Sequence, residues 1–430
     1  MIIEFRVKNF HSIKDEQILS FEASPDKEYE DYYVVNIGKY RLLKMAMIYG
    51  ANAAGKSNVL MALDVLRLLA VDRRDNDAKI PTVPFQFSDE TKNENTELAL
   101  EFLVKVDNQY LRHRYFIEFN TNEIVKEKLE YYPSTQPALI FLRILNRVNP
   151  RGFDLTIGNK IKLKSNDIEA IELNTLMTTS ILSCFKVINS LFLEARRGFE
   201  WFNTKLLPVV NNSMDAVVDT LTSRYFYDFP EQKDLLVQLL QKADMSVQDI
   251  KHEIEEGTLA NIPVNIKYYK DRIKREVIHQ YNSDKTCSLP YILESLGTKK
   301  LLMLSGPLFW AILREMSLPI DELESSLHFE LQKYFILVFL ANSKHSQLLF
   351  TTHNIMLLDW DAIRNDVVWF TEKREDGSTE LYSLLEFKGV NRRKVLNQYM
   401  AGNFGAKPDI YDYHLDFDSI RDMDDGKKEE

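Results

Sequence analysis

Apolar and polar residues alternate over residues 2–7 and 17–21, which predicts two strands of a hairpin or meander. Lys8 to Lys14 forms the loop between them. Lys44 to Tyr49 (KMAMIY) is a short, mostly apolar run suited to a buried strand. Asn58 to Ala70 (NVLMALDVLRLLA) has apolar residues at helical spacing, which predicts a helix over about 57–70. A charged linker, Asp72 to Ala78, follows. Alternation returns in Thr96 to Val104, Tyr110 to Asn120 and Ile124 to Tyr131, with a turn at Asp107-Asn108, and predicts an antiparallel sheet. The texture then changes. Ile168 to Thr179, Val187 to Leu206, Asp215 to Ser223, Gln232 to Ala243 and Val247 to Glu256 carry helical spacing, with Ser246 as N-cap of the last. No heptad is sustained, so this region is expected to be a compact helical insertion. Strand-like residues resume over Val264 to Gln280. Lys299 to Arg314 is an apolar helical stretch that Gly306-Pro307 is expected to kink or break. Leu348 to His353, Val367 to Phe370 and Thr379 to Leu385 predict further strands.

The formal net charge of −10 argues against a general nucleic-acid coat, because phosphate backbones attract clustered Lys and Arg. The runs Asp72-Arg73-Arg74, Arg112-His113-Arg114 and Asn391-Arg392-Arg393-Lys394 read as solvated surface. Cys184 and Cys287 make neither a disulfide framework nor a metal-ligand pair, which suits a reducing compartment. The N-terminus lacks signal-peptide architecture and no apolar run is long enough to span a membrane. A cytoplasmic location without a membrane partner is therefore expected.

Between the predicted strand and helix stands Gly50-Ala51-Asn52-Ala53-Ala54-Gly55-Lys56-Ser57, which fits G-x-x-x-x-G-K-[ST] at every fixed position. Small residues let the backbone wrap an anion with successive N–H groups turned inward. Gly50, Asn52, Ala53, Ala54, Gly55, Lys56, Ser57 and Asn58 are the candidate nucleotide contacts. Lys56 would reach the β- and γ-phosphates, Ser57 would ligate Mg²⁺, and the helix N-terminus adds a favourable dipole. Hydrolysis needs a second metal anchor and an oriented water. Asp321 and Glu322 fit those two tasks, with Asp321 on the Mg²⁺ shell through water and Glu322 polarising the attacking water. Pro319 complicates the strand before them, because it cannot donate to a sheet ladder.

With these motifs the chain resembles the ABC-type AAA ATPases of bacterial anti-phage and abortive-infection systems, the RloA-like and OLD-like group. The resemblance rests on the phosphate loop, Glu294-Ser295-Leu296-Gly297-Thr298, Asp321-Glu322-Leu323 with Leu327-His328, and Thr351-Thr352-His353. Asn9-Phe10-His11-Ser12 resembles the family's Asn-Phe-Arg-Ser, and Tyr399 to Pro408 resembles its Tyr-x-x-Gly-x-Phe-Gly-Ala-x-Pro. The resemblance implies an α/β fold: a P-loop ATPase head of mixed sheet and flanking helices, an antiparallel β subdomain and a helical insertion. It implies that Ser295, Gly297 and Thr298 form a signature serving the ATP of a partner subunit. His353 would be the switch histidine at the γ-phosphate, and His328 would fall in the segment that crosses the dimer interface; an ordinary interior histidine is the other reading of His328. The departures are His11 in place of Arg, Pro319, and Arg314 to Ser317 where the family commonly has Gly. Gln86 is the candidate for the glutamine loop, with an exposed strand-end residue as the other reading.

The expected organisation is residues 1–160 as the first part of the head, 161–260 as the helical insertion, 261–415 as the second part, and 416–430 as a disordered charged tail. The expected function is an ATP- and Mg²⁺-using ATPase that closes head-to-tail as a homodimer or higher oligomer. It would act as sensor or regulator in anti-phage defence, with a phage-derived trigger and a separate nuclease or toxin effector. The competing readings are an SMC-like DNA-repair clamp, counted against by the missing coiled coil and acidic balance, and a non-hydrolysing ATP-gated scaffold. A nuclease domain within this chain would need an acidic metal-binding region longer than Asp409 to Asp425.

Overall fold

The computed structural model describes residues 1–74, 78–107, 109–188, 192–243, 246–255, 272–281 and 285–406. The expected tail, Lys407-Pro408 of the closing motif, residues 264–271 of an expected strand and Asn108 lie outside the described residues. The first half of the chain runs β1 (Ile2–Lys8), β2 (Gln17–Ser20), α1 (Glu30–Tyr33), β3 (Val34–Ile37), β4 (Tyr40–Leu43), β5 (Met45–Gly50), α2 (Lys56–Val71), β6 (Thr96–Val106), β7 (Gln109–Phe119), β8 (Ile124–Tyr132), β9 (Ala138–Leu145) and β10 (Phe153–Ile157). Then come α3 (Ser165–Asn174), α4 (Ile181–Cys184), α5 (Leu193–Lys205), α6 (Asp215–Asp228), α7 (Lys233–Lys242), β11 (Val247–Glu255), β12 (Arg272–Tyr281) and β13 (Lys285–Pro290). The last part is α8 (Leu296–Arg314), β14 (Ser317–Ile320), α9 (Phe329–Asn342), β15 (Gln347–Thr351), β16 (Val368–Lys373), β17 (Thr379–Ser383) and α10 (Val395–Met400).

Two larger sheets organise the head. One is antiparallel, in the order β10-β9-β8-β7-β6-β1-β2. The other runs β14-β15-β5-β16-β17, with β14, β15, β5 and β16 mutually parallel and β17 antiparallel. Every residue of β5, β14 and β15 is buried. That is what parallel strands covered on both faces require, and it accounts for the apolar run at the end of which the phosphate loop begins. α2 packs its apolar stripe of Val59, Leu60, Leu63, Leu66 and Leu69 into the same core. Fully burying such a side chain is worth about 1.5–3 kcal/mol, so the stripe anchors the helix start firmly. Among the described residues no helix is long and apolar enough to cross a membrane.

Three expectations change. First, Val247–Glu255 is a strand paired with β12, not a helix, and Ser246 caps nothing: its hydroxyl pairs with His279 Nδ1. A bulge between Val247 and Asp249 shifts the strand's phase, so Val247 and Ile250 both turn inward three residues apart. Period 2 with one extra residue imitates the helical spacing of 3.6. The region of helices α3–α7 is thus followed by a small antiparallel sheet, β11-β12-β13.

Second, Pro307 does not interrupt α8, which runs unbroken from Leu296 to Arg314. The ring leaves the Met303 carbonyl without its helical donor, and the Thr222 hydroxyl of α6 donates to it instead at 2.8 Å. Gly306 makes the approach possible, since a Cβ there would stand 2.2 Å from Thr222 Oγ1. Third, Pro319 sits within β14 without harm. β14 lies at the sheet edge, where the Pro319 carbonyl accepts from Val210 N and Asp321 N donates to Val210 O.

Buried polar groups fix the insertion to the head. Arg143 of β9 donates to the carbonyls of Thr179 and Leu176, and Glu127 of β8 accepts from Ile181 N and Tyr115 OH. Ser180 donates to Leu69 O of α2.

Thr222→Val should destabilise the protein by about 1–2 kcal/mol, because it orphans the Met303 carbonyl. Adding Pro307→Ala restores the backbone donor and should recover most of that loss. Urea unfolding of the single and double variants checks the pair, and additive losses would contradict the account.

Candidate functional site

The phosphate loop leaves β5 at Gly50 and enters α2 at Lys56. Gly50 pairs with Thr371 of β16, and a Cβ on Gly50 would stand 2.3 Å from Thr371 Oγ1. Gly55 has φ 98°, and its Cβ would meet Thr379 Oγ1 at 2.1 Å. Ala53 also takes left-handed backbone at φ 61°. Left-handed and right-handed residues in succession make the concave backbone that binds anions. Asn52 and Ala53 are exposed at the loop's crest, while Ala54, Gly55 and Lys56 are buried. Lys56 Nζ rests on the carbonyls of Gly50 and Ala51 at 2.9 and 3.1 Å. Asn58 Nδ2 donates to Ser12 Oγ, which bonds Thr379 Oγ1, and Thr379 in turn donates to Ala54 O. The N-terminal turn and β17 therefore brace the loop from outside.

Strand order brings the carboxylates to it. β15 lies beside β5 and β14 beside β15, all parallel, so their carboxyl ends lie on the side of the loop, where ligands of parallel sheets bind. Asp321 Oδ1 accepts from Ser57 Oγ at 3.0 Å and from Thr351 Oγ1 at 2.6 Å. Glu322 has φ 55°, an uncommon conformation for a side-chain-bearing residue, and Thr351 holds it there by accepting from its N–H at 2.8 Å. Glu322 Oε2 accepts from Asn212 Nδ2 at 2.9 Å. His353 follows β15, and its backbone N–H donates to Glu324 Oε1 at 2.6 Å.

Asp321, Glu322 and Glu324 all act on Lys56 and on His353. Burial presses the Lys56 ammonium below its ordinary range, and these carboxylates oppose the shift. Burial, and then Lys56, push His353 below its ordinary value against the same three carboxylates. His353 is consequently neutral at neutral pH. The hydroxyl of Ser57 and the carboxylate of Asp321 are hard oxygen donors on one hydrogen bond, and the acidic side outnumbers the one lysine. That donor set fits a Mg²⁺ shared with phosphate oxygens.

The other predicted residues lie apart. Ser295 is the exposed N-cap of α8, with Oγ accepting from Thr298 N at 3.1 Å. A Cβ on Gly297 would stand 3.5 Å from Ser326 O, so the start of α8 lies against the segment after Glu322. No hydrogen bond or ion pair among the described residues joins Ser295, Gly297 or Thr298 to the phosphate loop. His328 is not an interior histidine: it is exposed and caps α9, accepting weakly from Glu330 N at 3.4 Å. Gln86 is exposed, and its amide turns back to Pro84 O. His11 has φ 51°, stacks edge-on with Phe10 and donates its backbone N–H to Val83 O. Its neighbour Ser12, rather than the His11 ring, makes the contacts to the loop. Sequence reasoning missed Glu324, Thr351 and Thr379 as site residues and Asn212 altogether. The spacing of Glu324 three residues after Asp321 was a usable signal; Asn212 had none.

The family described as "AAA domain, putative AbiEii toxin, Type IV TA system" matches residues 45–359, a span that includes the loop, both carboxylates and His353. The chain belongs to this family. The matched AAA domain spans the parallel sheet's β5, β14 and β15 together with α2 and the phosphate loop between β5 and α2. Among solved structures it is similar to the SMC head domain from Thermotoga maritima, at 14% identity over 89% of this chain and 98% of that one, with a TM-score of 0.43. The SmcHead bound to the C-winged helix domain of ScpA gives 13% identity over 90% and 99%, with a TM-score of 0.41. The Smc head domain with an extended coiled coil, bound to the C-terminal domain of ScpA derived from Pyrococcus furiosus, gives 12% over 93% and 99%, with a TM-score of 0.39. No curated protein matches this chain by sequence.

Lys56→Ala removes the only loop cation and should weaken nucleotide binding by at least about tenfold. Fluorescent-nucleotide titration checks it, and unchanged affinity would contradict the loop's assignment.

Proposed function

We propose that the protein hydrolyses ATP with Mg²⁺ and couples that cycle to head-to-tail closure of two copies. The observation that carries the reading is the Ser57–Asp321 hydrogen bond, 3.0 Å long, which sets a metal-ligating hydroxyl and carboxylate at the start of the phosphate-loop helix. On this reading, Lys56 leaves the carbonyls of Gly50 and Ala51 to meet the β- and γ-phosphates. The loop N–H groups and the dipole of α2 hold the phosphate charge. Ser57 and Asp321 would hold Mg²⁺, which when bound neutralises charge developing on the phosphate oxygens. Glu322 orients and polarises the attacking water. His353, at the end of β15, contacts the γ-phosphate.

Closure is supported by the surface around Ser295. Ile292, Leu293 and Leu296 are 75%, 67% and 70% exposed, an apolar cluster that leads into and runs through the signature. Burial against the loop face of a second copy would remove it from water while bringing Ser295, Gly297 and Thr298 to that copy's nucleotide. The family's description names a toxin of a toxin–antitoxin system. That favours a role in bacterial self-limiting defence, with the ATPase acting as sensor or regulator beside a separate effector protein and a phage-derived trigger.

Glu322→Gln should bind ATP with unchanged affinity, lower turnover by at least about a hundredfold, and accumulate as a dimer in ATP and Mg²⁺. Turnover assays with light scattering read both effects. Wild-type turnover in that variant would overturn the assignment of Glu322.

A further inference from the structure

The carboxylate of Glu322 is held by a residue from outside every motif. Asn212 opens a short helical turn (Asn212–Met214) in the region between the two parts of the head. Its position is fixed by backbone: two residues earlier, Val210 donates to Pro319 O at 3.0 Å and accepts from Asp321 N at 2.8 Å. The segment before Asn212 thus runs along the edge of β14. Asn212 Nδ2 then donates to Glu322 Oε2 at 2.9 Å.

The other end of the same amide is also engaged. Lys300 of α8 donates to Asn212 Oδ1 at 3.2 Å and to both oxygens of Asp215, at 2.9 and 3.0 Å. The Lys300 side chain is only 7% exposed, so its ammonium depends on these acceptors. A cation on one side and a carboxylate on the other leave the Asn212 amide a single orientation: oxygen to Lys300, NH₂ to Glu322. Lys300 lies little more than one helical turn beyond Ser295, the N-cap of α8.

We propose that Asn212 is a positioning residue for Glu322, with its amide set by Lys300. The carboxylate of one site is thereby tied to the helix whose N-terminus would serve the nucleotide of the partner subunit. This rests on the ATPase reading given above. Donation to Oε2 fixes the rotation of the carboxylate and leaves Oε1 to receive a proton from water. Lys300 and Asn212 thereby link the helix that Ser295 caps to Glu322 through side chains of a single chain.

Two substitutions separate positioning from support of the fold. Asn212→Ala removes the donor to Glu322 and should lower kcat by about tenfold, the value of one hydrogen bond to a charged group, with KM for ATP changed less than about twofold. Asn212→Asp keeps an acceptor for Lys300 but presents a carboxylate to Glu322, and kcat should fall at least as far. If Asn212 only stabilised Lys300, the Asp variant would keep wild-type kcat, and that result overturns the proposal. In the nucleotide-free protein, urea midpoints of Asn212→Ala, Lys300→Met and the double variant should be non-additive, the double losing less than the sum of the singles because both singles remove the Lys300–Asn212 bond. Additive midpoints, or kcat within about twofold of wild type in both Asn212 variants, overturn it while leaving the ATPase reading intact. Absence of ATP turnover in the wild type overturns the ATPase reading and this proposal together.

Discussion

Asp321 Oδ1 accepts from Ser57 and Thr351, and that shared acceptor ties the phosphate loop, the end of β14 and the end of β15 to one point. The order β14-β15-β5 is what makes it possible, because only adjacent parallel strands deliver their carboxyl ends to the same side. Thr351 then fixes Glu322 in its left-handed conformation through the backbone N–H. The site's geometry follows from sheet register rather than from the loop alone. Residues nearly three hundred positions apart meet because Phe350 pairs with Met47 and Ile320 with Phe350.

Much of the head was legible in the chain. An all-apolar strand, a small-residue loop and an amphipathic helix in succession leave few alternatives, and alternation over residues 96–131 gives an antiparallel sheet. Tertiary partners account for the failures. The bulge at Val247 made a strand look helical, since local spacing carries no record of one unpaired residue. Pro307 stays helical because Thr222 on another helix supplies the missing donor. Pro319 is tolerated because Val210 pairs along the edge of β14. In each case the rule about the residue was sound, and the partner that overrode it lay far away in sequence.

The site divides in the same way. Lys56, Ser57, Asp321 and His353 belong to motifs whose spacing reflects chemistry. Glu324 was marked only by its spacing after Asp321, and Asn212 depends on where an insertion packs, so nothing local hints at it. The region between the two parts of the head carries none of the nucleotide motifs. Here it supplies the edge pairing of β14 through Val210, the amide on Glu322 through Asn212, and the donor missing at Pro307's turn through Thr222. Those contacts make it part of the structure that would carry an ATP signal.

The central claim is that Ser57 and Asp321 jointly hold the Mg²⁺ of a bound nucleotide. Calorimetric titration of ATP with and without Mg²⁺, on the wild type and on Asp321→Ala, tests it directly. The wild type should bind one ATP per chain and gain at least about tenfold in affinity from Mg²⁺, while Asp321→Ala binds ATP but gains little from the metal. An equal Mg²⁺ gain in both proteins, or no ATP binding by the wild type, would contradict the account.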